Sequence, residues 1–105
     1  MHLINKDVMT NLNVKPEHLK MLKDIFAKYC PKAEIWAYGS RIKGDSHDGS
    51  DLDMVVKSFN DETKNITELR QMLNDSNIPF LMDITEFDKL PKSFQTEILK
   101  EYLVI

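Results

Sequence analysis

The chain has 105 residues, 42% of them hydrophobic and 30% charged, which is the composition of one folded domain rather than of a disordered chain. Its net charge of −3 is poorly suited to holding duplex nucleic acid, so we expect no duplex partner. The single cysteine, Cys30, excludes an internal disulfide and a thiolate zinc site, and it favours a reducing compartment; we predict a cytoplasmic protein. We find neither a signal-peptide core nor an apolar stretch as long as a membrane span, and therefore expect no membrane partner.

The first half of the chain predicts a helix followed by a strand. Residues 1–13 are polar with scattered apolar positions, and we expect a loosely held lead-in. A helix is predicted from Pro16, which a first helical turn tolerates, up to the breaker Pro31, because apolar side chains recur at helical spacing. Residues 34–38 are rich in strand-forming side chains and are followed by Gly39, which predicts a strand that ends in a turn.

The second half predicts two more strands, each followed by a helix. The strands are residues 51–56 and 80–84; Asp61 is the predicted N-cap of the first helix, and the last helix follows Pro91. This order predicts a single domain over residues 1–105. Its class is α/β (α+β), with a small mixed sheet of three or four strands flanked by helices.

Two aspartates at the start of a strand are the first candidate site residues. Asp51 and Asp53 alternate on the strand, so both side chains leave one face, about 6–7 Å apart at the backbone. Asp83 interrupts another apolar strand; if the two strands are neighbours, three carboxylates converge on a hard cation such as Mg²⁺ or Mn²⁺. The alternative is that all three are solvated strand residues.

Gly39-Ser40 is a candidate phosphate-binding turn. It directly follows a strand, and exposed backbone N–H groups with a serine hydroxyl can bind phosphate oxygens. Arg41 and Lys43 follow with charges of the right sign. The alternative is an ordinary turn in which the serine caps a helix.

The Gly39-Ser40 turn and the two aspartates together form a more specific pattern than either does alone. Gly39-Ser40, ten further residues and Asp51-Leu52-Asp53 resemble the G-S-x10-D-x-D signature of the polymerase β-like nucleotidyltransferase superfamily. Ser50 and the two aspartates resemble its metal-binding strand, and Asp83 lies where the third family carboxylate falls. With 105 residues, the chain resembles the members of the minimal nucleotidyltransferase (MNT) branch in length.

The resemblance implies transfer of AMP from ATP to a hydroxyl group, with Mg²⁺ or Mn²⁺, two ions in all, as cofactor. It also implies a catalytic and metal-binding role for the three aspartates and nucleotide binding by five residues of the turn and loop: Gly39, Ser40, Arg41, Lys43 and Ser50. Many relatives have Arg-Ala-Arg where this chain has Arg41-Ile42-Lys43, so a weaker phosphate contact is expected at Lys43.

The partner implied by the resemblance is a HEPN-family ribonuclease toxin encoded by a neighbouring gene, which this chain would neutralise as an antitoxin. Three alternatives remain open at this stage: an enzyme that modifies the toxin, a binding antitoxin with a vestigial site, and a free-standing transferase for a small-molecule or RNA acceptor. Self-association also stays open.

Overall fold

The computed structural model of the protein describes residues 12–43 and 51–105, and the side chains of Ser40 and Lys43 lie outside that description. The elements of the described part are, in chain order, α1 (Pro16–Tyr29), β1 (Glu34–Tyr38), the one-turn helix α2 (Ser40–Lys43), β2 (Leu52–Ser58), α3 (Ile66–Asn74), β3 (Met82–Glu86), a 3-10 turn (Phe87–Lys89), α4 (Lys92–Lys100) and β4 (Leu103–Val104). The predicted α/β class with a small mixed sheet is confirmed.

The helices begin where local capping and packing allow. Helix α1 begins at Pro16, as predicted. The prediction that Asp61 caps the next helix is wrong, because Asn65 caps α3 and its side chain accepts the N–H of Glu68. Asp61 instead forms a local turn, in which its carboxylate accepts from the backbone and the hydroxyl of Thr63 at 3.0 and 2.7 Å.

Strand β1 has the predicted bounds, whereas the other strands are displaced. Strand β2 begins at Leu52, so Asp51 directly precedes it. Strand β3 begins at Met82 rather than at Phe80, and it runs to Glu86 because its parallel register with β2 continues that far. The sequence patterns did not predict the two-residue strand β4.

The strands of the sheet lie in the order β3-β2-β1-β4. Strand β1 runs antiparallel to both β2 and β4, and β2 runs parallel to β3. The last residue of β1 therefore lies beside the first residues of β2, which lie beside the first residues of β3. This edge of the sheet carries the candidate site.

The two faces of the sheet are covered unequally. The larger apolar cluster lies between the sheet and helices α1 and α3 and includes Leu22, Phe26, Leu69, Leu73, Ile35, Ala37, Met54, Val56 and Ile84. The smaller cluster lies on the opposite face under α4 and the 3-10 turn and contains Trp36, Val55, Phe87 and Ile98. The Trp36 ring stacks on Tyr102 with 4.0 Å between centroids.

The last residues of the predicted lead-in are attached to the fold. Leu12 is buried, and the N–H of Asn13 donates to the carbonyl of Arg41 at 2.8 Å. Residues 1–11 lie outside the described part. No helix in residues 12–43 and 51–105 combines the length and the apolarity needed to cross a membrane.

Candidate functional site

Three polar side chains form a row across the sheet where β1 ends and β2 and β3 begin. Tyr38 is the register partner of Asp53 across the antiparallel pair, and Asp53 is the register partner of Asp83 across the parallel pair. Register partners point to the same face, and neighbouring strands lie about 4.8 Å apart. The structure therefore brings together the two aspartates that the sequence places 30 positions apart.

The charges in this row repel one another. Partial burial raises the pKa of Asp53, and the nearby charges of Asp83 and Asp51 raise it further. Within the described residues, no lysine or arginine forms an ion pair with any of the three aspartates. A bound cation would relieve this repulsion.

The donor set can be tested against a divalent metal. Carboxylates on neighbouring strands are the oxygen ligands that Mg²⁺ and Mn²⁺ prefer. In the described part of the chain, no three His, Cys, Asp or Glu side chains gather closely enough to hold a metal by themselves. Mg²⁺ commonly takes one or two carboxylates and completes its shell with water and substrate phosphate oxygens. The pair of Asp53 and Asp83 fits a cation that is shared with a phosphorylated substrate.

The backbone of Gly39 passes directly beside this pair. Its φ of 87° lies in the left-handed region that glycine adopts readily. A Cβ at this position would lie 2.7 Å from Oδ2 of Asp53, so a larger residue would collide with the carboxylate. The carbonyl of Gly39 accepts the N–H of Ile42 at 3.1 Å and starts α2. The predicted phosphate turn and the acidic pair thus lie side by side.

Of the other predicted nucleotide-binding side chains, the structure describes that of Arg41 alone. The side chains of Ser40 and Lys43, and the whole of Ser50, lie outside the described part, so their roles stay predictions. Arg41 is described, and its side chain is 6% exposed. One of its guanidinium nitrogens, Nη1, donates to the carbonyl of Asn13 at 2.7 Å, and Cζ lies 4.5 Å from the ring centroid of Phe80.

Arg41 therefore joins three segments of the chain. Its backbone and side chain both bond to Asn13, and Phe80 belongs to the segment that leads into β3 and Asp83. It lines a separate cavity of about 280 Å³ with His18. These contacts favour a role in holding the turn in place.

Replacing Arg41 with alanine is expected to lower the free energy of unfolding by about 2–3 kcal/mol, because a charge-assisted hydrogen bond and a cation–π contact are lost. Urea denaturation without nucleotide measures the loss, and Arg41→Lys should restore part of it. If the alanine variant keeps wild-type stability and loses only ATP affinity, the side chain is a phosphate ligand instead.

A cavity of about 380 Å³ lies next to Asp53, and several of its lining residues were missed by sequence reasoning. Its walls include Tyr38, Gly39 and Asp53 on the sheet side and Phe94, Glu97 and Glu101 on the α4 side. Burial and the charges of Asp53 and Asp83 raise the pKa of Tyr38 to about 12, so its hydroxyl stays a neutral donor. The signal in the sequence was the i, i+4 spacing of the two glutamates on a helix whose other face is apolar.

Comparison with known proteins agrees with this geometry. The family described as "Polymerase beta, Nucleotidyltransferase" matches residues 20–105, a range that contains the Gly39 turn and all three aspartates. A Haemophilus influenzae protein named "Probable protein adenylyltransferase MntA" is 31% identical over 97 residues, which cover 90% of this chain and 83% of the relative. A crystal structure of a candidate nucleotidyltransferase superposes with a TM-score of 0.54 and 27% identity over 84% of this chain and 97% of that one. The chain therefore belongs to the polymerase beta nucleotidyltransferase family of enzymes.

Proposed function

We propose that this nucleotidyltransferase moves AMP from ATP to a hydroxyl group of a partner protein, with Mg²⁺ or Mn²⁺ as cofactor. The observation that carries the proposal is the in-register pair of Asp53 and Asp83 directly beside the Gly39 turn. The name of the Haemophilus influenzae relative, a probable protein adenylyltransferase, supports AMP as the transferred group and a protein as the acceptor.

Asp51, Asp53 and Asp83 are the residues that would hold the two metal ions. When bound, divalent cations supply charge neutralisation at the attacking and leaving oxygens of such a displacement. Because the described protein side chains do not form a closed metal cage, ATP phosphates are expected to complete the coordination shell. Metal affinity should therefore depend on the presence of nucleotide.

The chain's own residues position the reactants. Backbone N–H groups of the turn at Gly39, together with Ser40, Lys43 and Ser50, are proposed to bind the β- and γ-phosphates, and Arg41 holds this turn against the rest of the fold. The acceptor oxygen forms a bond to the α-phosphorus, while the bond from that phosphorus to the bridging oxygen of the β-phosphate breaks. Pyrophosphate leaves with that electron pair, and Asp83 accepts the hydroxyl proton.

The partner that we propose is a HEPN-family ribonuclease toxin encoded by a neighbouring gene, neutralised by AMP on a hydroxyl near its active site. The added phosphate brings negative charge and bulk to a site that must bind RNA. The buried, free thiol of Cys30 is compatible with the cytoplasm, where such a pair would act.

Incubating the chain with ATP, Mg²⁺ and the neighbouring protein should add whole AMP units to that protein, detected by intact mass. The reason is that Asp53 and Asp83 are register partners beside the Gly39 turn, which is the arrangement that the proposed transfer requires. Omitting the divalent metal, or using the Asp51→Ala/Asp53→Ala variant, is the control and should leave the mass unchanged. If the double variant protects cells from the toxin as well as wild type does, neutralisation is by binding alone.

A further inference from the structure

The cavity beside Asp53 has one wall that the transfer of AMP does not explain. That wall is formed by α4 and its C-cap, which present Phe94, Glu97 and Glu101 across from Tyr38 and Gly39. The Tyr38 and Phe94 rings meet edge to face with 5.8 Å between centroids, and Phe94 is 39% exposed. The wall therefore combines an accessible aromatic ring with two carboxylates.

Local helix stability does not account for the Glu101 carboxylate. Glu97 lies in the last turn of α4 and Glu101 is its C-cap, where the helix dipole favours cations and disfavours anions. Glu97 pairs with Lys100 at 2.8 Å, so its charge is already balanced within the helix. Within the described residues, Glu101 forms no ion pair. The negative charge of Glu101 therefore remains on the wall, at the end of the helix where the last carbonyl groups also carry negative partial charge.

The negative charge on this wall repels the triphosphate of ATP and attracts a cationic group on the acceptor. A triphosphate carries several negative charges and would be repelled by Glu101, whereas the turn at Gly39 offers it backbone N–H groups. A cationic group, in contrast, gains from the Glu101 carboxylate and from the face of the Phe94 ring. The cavity is therefore divided, with a phosphate side at the turn and a cation side at α4.

We propose that the α4 side of the cavity binds the acceptor segment of the partner protein, and that this segment carries a lysine or arginine beside its acceptor hydroxyl, placed to pair with Glu101. The inference rests on the proposed transfer to a protein. The Phe94 and Tyr38 rings pack against the acceptor side chain. The basic residue fixes the direction in which the acceptor segment enters toward Asp53. Basic flanking sequence, rather than fold, then selects the hydroxyl that receives AMP.

Two fluorescent peptides test the proposal without requiring catalysis. Each has one tyrosine, flanked by two arginines in the first peptide and by two glutamates in the second, and binding is followed by anisotropy. The arginine peptide should bind roughly tenfold more tightly, and Glu101→Lys should weaken its binding by roughly fivefold or more. Glu62→Lys makes the same change of net charge at an exposed site beyond the opposite end of β2, and it should leave the preference intact.

A second variant tests whether the Phe94 ring contacts the acceptor or the adenine base of ATP. Phe94→Ala should weaken the arginine peptide several-fold, while the affinity for ATP with Mg²⁺, measured by calorimetry, holds. Equal binding of the two peptides, an equal effect of Glu62→Lys, or a loss of ATP affinity in Phe94→Ala would each overturn the proposal. Transfer of AMP is scored separately by mass: if the preference is present but no AMP is transferred to peptide or partner, the proposed function fails and the docking site stands.

Discussion

Asp53→Asn is expected to lower the rate of AMP transfer at least a thousandfold, while the protein stays folded. Asparagine keeps the size of the side chain but removes the charge that lies against the Gly39 turn and pairs in register with Asp83. Loss of a metal-binding carboxylate removes several kcal/mol of charge stabilisation from the transition state, and about 4 kcal/mol corresponds to a thousandfold. Single-turnover assays with ATP, Mg²⁺ and the partner measure the effect.

The stability of the same variant distinguishes a lost function from a lost fold. In the wild type, burial and the charges of Asp83 and Asp51 raise the pKa of Asp53, so the folded state holds a proton that the unfolded state has already released. Stability without metal should therefore fall as the pH rises from about 4, near the ordinary pKa of an aspartate, through the raised pKa of Asp53, and Asp53→Asn should weaken this dependence. Thermal unfolding in chelator measures both. A variant that is less stable than wild type at pH 7 would show that Asp53 supports the fold.

Asp83→Asn is expected to lower kcat at least a hundredfold with a much smaller change in ATP affinity. Asp83 lies on the edge strand β3, one strand further than Asp53 from the Gly39 turn, so it is further from the proposed phosphate anchor. A carboxylate that accepts the acceptor proton contributes about a hundredfold to ten-thousandfold. Steady-state kinetics and calorimetry with ATP separate the two quantities.

Asp88→Asn is the matched control for this substitution. Asp88 is an exposed aspartate in the 3-10 turn that follows β3, so the change of charge and size is the same outside the row of carboxylates. It should leave both kcat and ATP affinity unchanged. An unaltered kcat in Asp83→Asn would assign Asp83 a structural role.

Local sequence signals were sufficient where one short pattern determines the element. Strand β1 and the start of α1 at Pro16 follow from strand-forming residues and from proline. The choice between Asp61 and Asn65 as N-cap was not local, since both residue types cap helices. It is decided by packing, because the Tyr29 hydroxyl accepts the N–H of Asn65 at 3.0 Å and holds α3 against α1. Strand β4 is two residues long and exists only through its pairing with β1.

The two aspartates and the Gly39-Ser40 turn could be selected as candidates because charged residues at the start of a buried strand, and a glycine directly after a strand, are recognisable in the sequence; their roles stay predictions. Their register could not, because which strands are neighbours is a property of the sheet. The contacts of Arg41 could not be predicted from the sequence. A positive charge after a predicted phosphate turn does not reveal that the arginine side chain contacts Asn13 and Phe80. The sequence does not place Tyr38 in the wall of the cavity, because it does not show where the covering helix ends.

The unequal covering of the two sheet faces separates the residues that maintain the fold from surface residues that can be substituted. The cluster under α1 and α3 supplies most of the buried apolar side chains, whereas the carboxylates and the wall of α4 lie on the other face. Substitutions on the exposed positions of α4 alter charge and shape at the proposed acceptor entrance without removing a side chain from the larger core. Such an arrangement lets the acceptor preference diverge among descendants of one scaffold, because a new partner can be accommodated by surface changes at little cost in folding stability.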